Sequence, residues 1–229
     1  MISYAFTDGS VDSTRKRDDG GADYGGACAV ALKTQDAPDP LFGKIIIEGR
    51  LFKKTDAKID AITNNTMELS AVEVAAQLLE EEILKEQPVH IWTDSQYAQG
   101  CLRFNTTWNP QANVGLIIRI RDLVAKPHVK IHHVRGHRRF PWNEIVNLGA
   151  RKCVELRNSR DGFKGERDVA ISEQCFFCKK FACADPKFGI FTSVLKNSYN
   201  PCPCKEERFT PYPPGMVEDF QWRSTSKTG

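Results

Sequence analysis

The sequence predicts an α/β domain, a mixed five-stranded sheet with helices on both faces, followed by a small cysteine-rich domain. Three observations carry this. Short apolar runs alternate with helical apolar stripes up to about residue 157. Three strand-like runs precede the first helix, which calls for antiparallel pairing at the start of the sheet. Five cysteines then crowd together after a polar stretch: Cys175, Cys178, Cys183, Cys202 and Cys204. The expected divisions are an α/β domain over 1–157, a linker over 158–172 and a cysteine-rich extension over 173–229 that ends in a disordered tail from Arg223.

Taken in order, Ile2–Thr7 is a short apolar strand, and 12–24 is a loop holding Arg15, Lys16 and Arg17. That basic run reads as a solvated loop before it reads as a specific contact. Gly26–Leu32 and Leu41–Phe52 are the next two strands. Asn64 and Asn65 open a helix that runs to about Lys85, with Met67, Leu69, Val72, Val74, Ala75, Leu78 and Leu79 at core-facing spacing. Pro88 closes it. Val89–Thr93 is a buried strand, and a short helix follows with Ser95 as its cap. Pro110 breaks the chain before a helix over Gly115–Ala125. Val129–Val134 is the fifth strand, and Trp142–Leu156 the last helix.

Composition sets the broad class. The chain has 229 residues, 41% hydrophobic and 27% charged, as expected of a globular protein. A net charge of +3 does not by itself demand a nucleic-acid partner. No apolar run is long enough for a membrane span, and the N-terminus lacks the order of a secretory signal. A reducing intracellular compartment, cytoplasmic or nuclear, fits the cysteine usage. Cys28, Cys101 and Cys153 read as small buried hydrophobes.

Three acids have unusual settings. Asp8 and Asp94 each end an apolar run, and Glu68 sits one turn into the helix opened by Asn64. A carboxylate at the end of a buried strand is costly without a partner. Three such groups point to oxygen ligation of hard divalent cations, and a pair of these can drive phosphodiester hydrolysis.

Four segments occur in one order: Phe6-Thr7-Asp8-Gly9-Ser10, Thr63-Asn64-Asn65-Thr66-Met67-Glu68-Leu69, Thr93-Asp94-Ser95-Gln96-Tyr97, and Val134-Arg135-Gly136-His137 followed by Asn143-Glu144. Through them residues 1–157 resemble the type 1 ribonuclease H family, which cuts the RNA strand of RNA–DNA hybrids. The resemblance implies that Asp8, Glu68 and Asp94 bind two Mg²⁺ (or Mn²⁺) ions about 4 Å apart. It implies that His137 assists proton traffic or product release. Thr63, Asn64 and Asn65 match positions that contact the hybrid and can sense a 2′-hydroxyl. Gln96 and Asn113 match further polar contact positions.

The chain departs from the family pattern twice. The fourth metal ligand of the family is an Asp, and Asn147 stands there. An amide oxygen can coordinate a hard cation but brings no charge, so the second ion is held more weakly. A naturally slowed enzyme, a binding-only relative, or an engineered inactivating substitution would each account for it. Glu144, a neighbouring acid, faces another side of the helix. Secondly, Cys101–Asn113 is too short for the basic protrusion of many bacterial members. Hybrid affinity must then come from Arg15-Lys16-Arg17, Arg119 and Arg121, Arg138-Arg139, or the C-terminal segment.

Cys175 and Cys178 have ordinary zinc spacing, and Cys202 with Cys204 completes a four-thiolate set, Cys183 being an alternative ligand. One structural Zn²⁺ would help fold a segment too small for a good core. Aromatic residues interleave with lysines there, and they read as that segment's own core before they read as a stacking surface. The extension is a candidate nucleic-acid or protein contact. The sequence as a whole therefore reads as a monomeric hybrid endoribonuclease weakened or inactivated at Asn147. The alternatives are a non-cleaving binder of hybrids or duplexes, and a DNA-structure nuclease on the same fold.

Overall fold

The computed structural model describes residues 3–12, 21–34, 41–56, 59, 61–103, 111–134, 141–155, 157 and 162–171. Six strands form one sheet: β1 (Ser3–Val11), β2 (Tyr24–Thr34), β3 (Leu41–Lys53), β4 (Val89–Thr93), β5 (Val129–His133) and β6 (Gly162–Ile171). Their order across the sheet is β5-β4-β1-β2-β3-β6. β1, β2 and β3 form an antiparallel meander, while β4 and β5 run parallel to β1. The mixed α/β architecture expected from the sequence is therefore the one observed. Five helices complete it: α1 (Asn64–Leu78), α2 (Glu80–Leu84), α3 (Gln96–Leu102), α4 (Val114–Val124) and α5 (Pro141–Glu155).

The sheet has six strands where five were expected. The polar stretch 158–172, read as a linker, contains β6, which pairs antiparallel with β3 over ten residue pairs. Among the described residues such a strand has one neighbour to satisfy, so it needs no apolar pattern. It is anchored at its start. The Phe163 ring lies against Gly49, and Lys164 Nζ reaches Glu48 Oε2 at 3.2 Å. The helix expected from Asn64 to about Lys85 is broken at Leu79, whose dihedrals leave the helical region. The three acids Glu80, Glu81 and Glu82 thereby occupy the first turn of α2, where the helix dipole favours negative charge.

Two layers of core flank the sheet. On one face, α1, α3 and α4, with Leu79 at the end of α1, bury Leu69, Val72, Leu102, Ile117 and Ile120 against Ala5, Ala29, Ala31, Val89 and Ile91. The expected apolar stripe of α1 is this core. On the other face, α5 lies on β1 and β2, and Phe6 stacks between Trp92 and Trp142 at centroid distances of 6.4 and 6.2 Å. Cys28, Cys101 and Cys153 are buried, as read from the sequence, and take part in no disulfide. No helix among the described residues is long and apolar enough to cross a membrane. His137, Arg15-Lys16-Arg17, Arg138-Arg139 and the cysteine-rich extension with its tail lie outside the described residues.

Candidate active site

The site is built where two parallel strands end together. The β1/β4 register pairs Thr7 with Thr93, so the next residues, Asp8 and Asp94, come side by side. The Thr7 hydroxyl donates to Trp92 O at 3.2 Å and ties the strands just before this point. β1 does not stop at Thr7 as expected. β2 carries it onward through Asp8↔Cys28, Gly9↔Ala27 and Ser10↔Gly26. Alternation along β1 puts Phe6 and Asp8 on one face and Gly9 on the other.

Gly9 admits the third acid. A Cβ at this position would stand 2.4 Å from the Glu68 amide nitrogen and from Met67 C. Only a residue without a side chain lets α1 approach the strand this closely. The helix is set by Thr63, whose hydroxyl caps it by accepting from the Thr66 amide at 3.2 Å. Glu68 then falls one turn inside. Ligand oxygens of Asp8, Glu68 and Asp94 all lie within 4.8 Å of one another, an arrangement that could hold a metal ion.

Electrostatics mark two of these groups, Asp8 and Glu68. Asp8 is 3% exposed. Burial first, and the Asp94 charge second, push its carboxyl up from 3.8 to about 7. Hydrogen bonds from Asn147, Glu68 and the Gly9 amide pull the other way. Burial, then the Asp8 and Asp94 charges, lift Glu68 well above the ordinary carboxylate range. Asp8 Oδ2 and Glu68 Oε2 are buried without a hydrogen-bond partner. Crowded acids with orphaned oxygens are what a cation-binding pocket looks like before its charge is balanced.

α5 supplies the amides. Asn147 is half-buried and hydrogen-bonds Asp8, so the fourth position of the sequence pattern stands beside the acids. One turn earlier, Asn143 is 2% exposed, and its Nδ2 donates to Asp94 Oδ2 at 3.1 Å. Sequence reasoning placed Asn143 in a motif but gave it no role. The signal was available, because 143 and 147 are four apart and share a helix face. On β5, His133 Nε2 donates to the Asp94 carbonyl at 3.1 Å and steadies the end of β4.

The proposed substrate residues fall into two groups. Asn64 and Asn65 are exposed at the start of α1, and Gln96 is exposed at the start of α3, where Ser95 caps the helix as expected. Asn113 is half-buried, and its amide is engaged within the protein, accepting from the Thr66 hydroxyl and donating to that of Tyr97. Arg119 and Arg121 also bond within the protein. Arg119 pairs with Glu73 at 3.3 Å, and Arg121 donates twice to Cys101 O, at 2.9 and 2.6 Å.

Known proteins resemble the chain over this region. Residues 3–155 match the RNase H family. A ribonuclease H of Polynucleobacter asymbioticus is 30% identical over 125 residues, which cover 50% of this chain and 79% of that protein. A ribonuclease H of Oleidesulfovibrio alaskensis is 32% identical over 111 residues, covering 43% and 70%. That of Pseudoalteromonas atlantica is 30% identical over 138 residues, covering 54% and 87%. Among solved structures, LC9-RNase H1, described as a type 1 RNase H with the type 2 active-site motif, aligns with a TM-score of 0.53. It covers 83% of this chain and 84% of its own at 17% identity, a likeness of fold alone.

Proposed function

The chain belongs to the RNase H family, and from that premise we propose that it hydrolyses the RNA strand of RNA–DNA hybrids at the Asp8, Glu68 and Asp94 cluster. The observation that carries this reading is the convergence of three acids within 4.8 Å, with orphaned buried oxygens on two of them. The chemistry of that donor set fits Mg²⁺ or Mn²⁺, two ions in all. Bound there, they supply an activated water and offset charge on the phosphoryl and leaving oxygens. Asp8, Glu68 and Asp94 hold the ions, and Asn147 completes the set with a neutral oxygen. Thr63, Asn64, Asn65 and Gln96 meet the hybrid, and exposed amides at a helix start suit a 2′-hydroxyl that both donates and accepts. His137 moves protons or helps product leave.

Asn147 weakens the second ion. Its amide already donates toward Asp8, so its oxygen is the only ligating atom it offers. Cleavage of a labelled RNA–DNA hybrid by the parent and by Asn147→Asp, with Mg²⁺ and then Mn²⁺, tests the proposal. Even a partner that only orients a metal ligand shifts activity about 10–100-fold, so a gain of at least that order is expected when Asn147→Asp restores charge to the ligand itself. If both proteins bind the hybrid and neither cuts it, the chain is a binding module. Equal cutting of a DNA duplex would instead assign it to DNA structures. The extension over 173–229 binds one structural Zn²⁺ through Cys175, Cys178, Cys202 and Cys204, with Cys183 in reserve, and offers a nucleic-acid or protein contact. The compartment is a reducing intracellular one, where the three buried thiols stay free.

A further inference from the structure

We propose that His90 and His132 form a latch that fastens the border strand β5 to β4 and opens when both rings take up a proton. The four ordered segments of the sequence contain neither histidine, and the device is independent of which substrate the site takes.

The latch lies on the sheet face that α5 shares with Phe6. β4 and β5 run parallel, with His90 opposite Lys130 and Trp92 opposite His132. Alternation puts these four on the face where Trp92 meets Phe6. There His132 Nε2 stands 2.9 Å from His90 Nδ1. The rings are 11° from parallel with centroids 4.9 Å apart, so they meet edge to edge, as an N–H···N bond requires. Trp92 stacks on His132 at 4.3 Å, and Tyr4 flanks His90 at 5.7 Å. His90 is buried and His132 half-buried.

This bond limits the protons the pair can hold. One nitrogen must donate and the other must offer a lone pair, whichever tautomers the rings adopt. A neutral pair meets that condition. A pair with one charged ring meets it too, and its bond becomes charge-assisted. Two charged rings do not, because both nitrogens then carry hydrogen and like charges face each other. Among the described residues, the charged or titratable groups on this face begin with Tyr4 on β1 and the exposed Lys130 on β5. Asp8 and Asp94 lie across the Phe6–Trp92–His132 row from His90. α5 packs on β1, β2 and β3, and its described charges, Arg151, Lys152 and Glu155, follow Ala150, which lies over Gly26 of β2.

The open form can hold one proton more than the closed form, so acid favours opening. β5 has five residues and, among the described residues, β4 as its one neighbour. A single side-chain bond weighs heavily on such a strand. Just beyond the latch, the Val134 amide donates to Thr93 O and His133 donates to Asp94 O. Release of β5 would therefore loosen the Asp94 end of β4.

The experiment is hydrogen exchange on the full chain, read by mass spectrometry from about pH 7.5 to about pH 5, where imidazoles charge. Rates are corrected for the intrinsic effect of pH. In the parent, the amides of 129–133 should lose protection at least about 5-fold, the effect of one neutral hydrogen bond. β1 should lose none over that range, because Asp8 and Glu68 hold protons more tightly in the folded chain. His132→Gln keeps a donor toward His90 but cannot charge, so its protection over 129–133 should not vary with pH. Equal loss in parent and variant would overturn the proposal, as would no loss in the parent. Should His132→Gln fail to fold, nitrogen NMR of the parent's imidazoles decides. At most one of the two rings should be charged while 129–133 stay protected, and two charged rings under intact protection would refute the latch.

Discussion

Asp8 keeps its proton up to about pH 7, because burial and the Asp94 charge both penalise the ionised form. An unfolded Asp releases that proton near its ordinary value of 3.8. Between those two values the folded chain binds more protons than the unfolded one, so stability falls as pH rises through the window and levels off above it. Glu68 shifts in the same direction. Thermal melts in chelator should therefore show Asp8→Asn more stable than the parent at neutral pH, by at least about 1 kcal/mol. The gap should close toward pH 4. A parent that is the more stable at neutral pH would contradict a repulsive pocket. Beside it, Gly9→Ala should cost about 1–3 kcal/mol in urea titrations, since the added methyl meets helix backbone. At this scale the sequence exposed the acids because charge at the end of an apolar run is conspicuous. It did not expose Asn113's bonds or Asn143's bond to Asp94, because an amide's partner depends on which distant residue the fold brings near.

Elements were legible in proportion to their apolar pattern. Val89–Thr93 is buried at every position, and its limits were read without error. α4 and α5 came within a residue of their limits. β6 was not legible, because Gly162–Ile171 is polar and owes its strand form to the backbone of β3. The break at Leu79 was hidden because the apolar stripe continues past it to Ile83. The boundary of the α/β unit follows from β6. Ending the chain after 157 should lower the melting temperature by several degrees, since ten residue pairs and the Phe163 contact with Gly49 are lost. Ending it after Ile171 should leave the melt of the sheet domain nearly unchanged. Equal melts for the two truncations would show that β6 adds nothing to the sheet.

Across the whole molecule, the proposed zinc site would serve the folding of the extension, apart from the two core layers of the α/β unit. Metal analysis should therefore find one zinc per chain, lost in Cys175→Ser, while the sheet domain's melting temperature stays put; a zinc-free parent would remove the site. The net charge is only +3, and of the basic candidates for hybrid contact Arg119 and Arg121 also bond Glu73 and Cys101 O.

The sheet's two outer strands also govern how copies of this chain meet. A second molecule seeking to extend the ladder finds at one border five residues bearing the exposed Lys130. At the other it finds the ten residues of β6, with the exposed Lys164 near their start. Among the described residues, shortness on one side and an exposed lysine on each make these borders poor templates for strand addition.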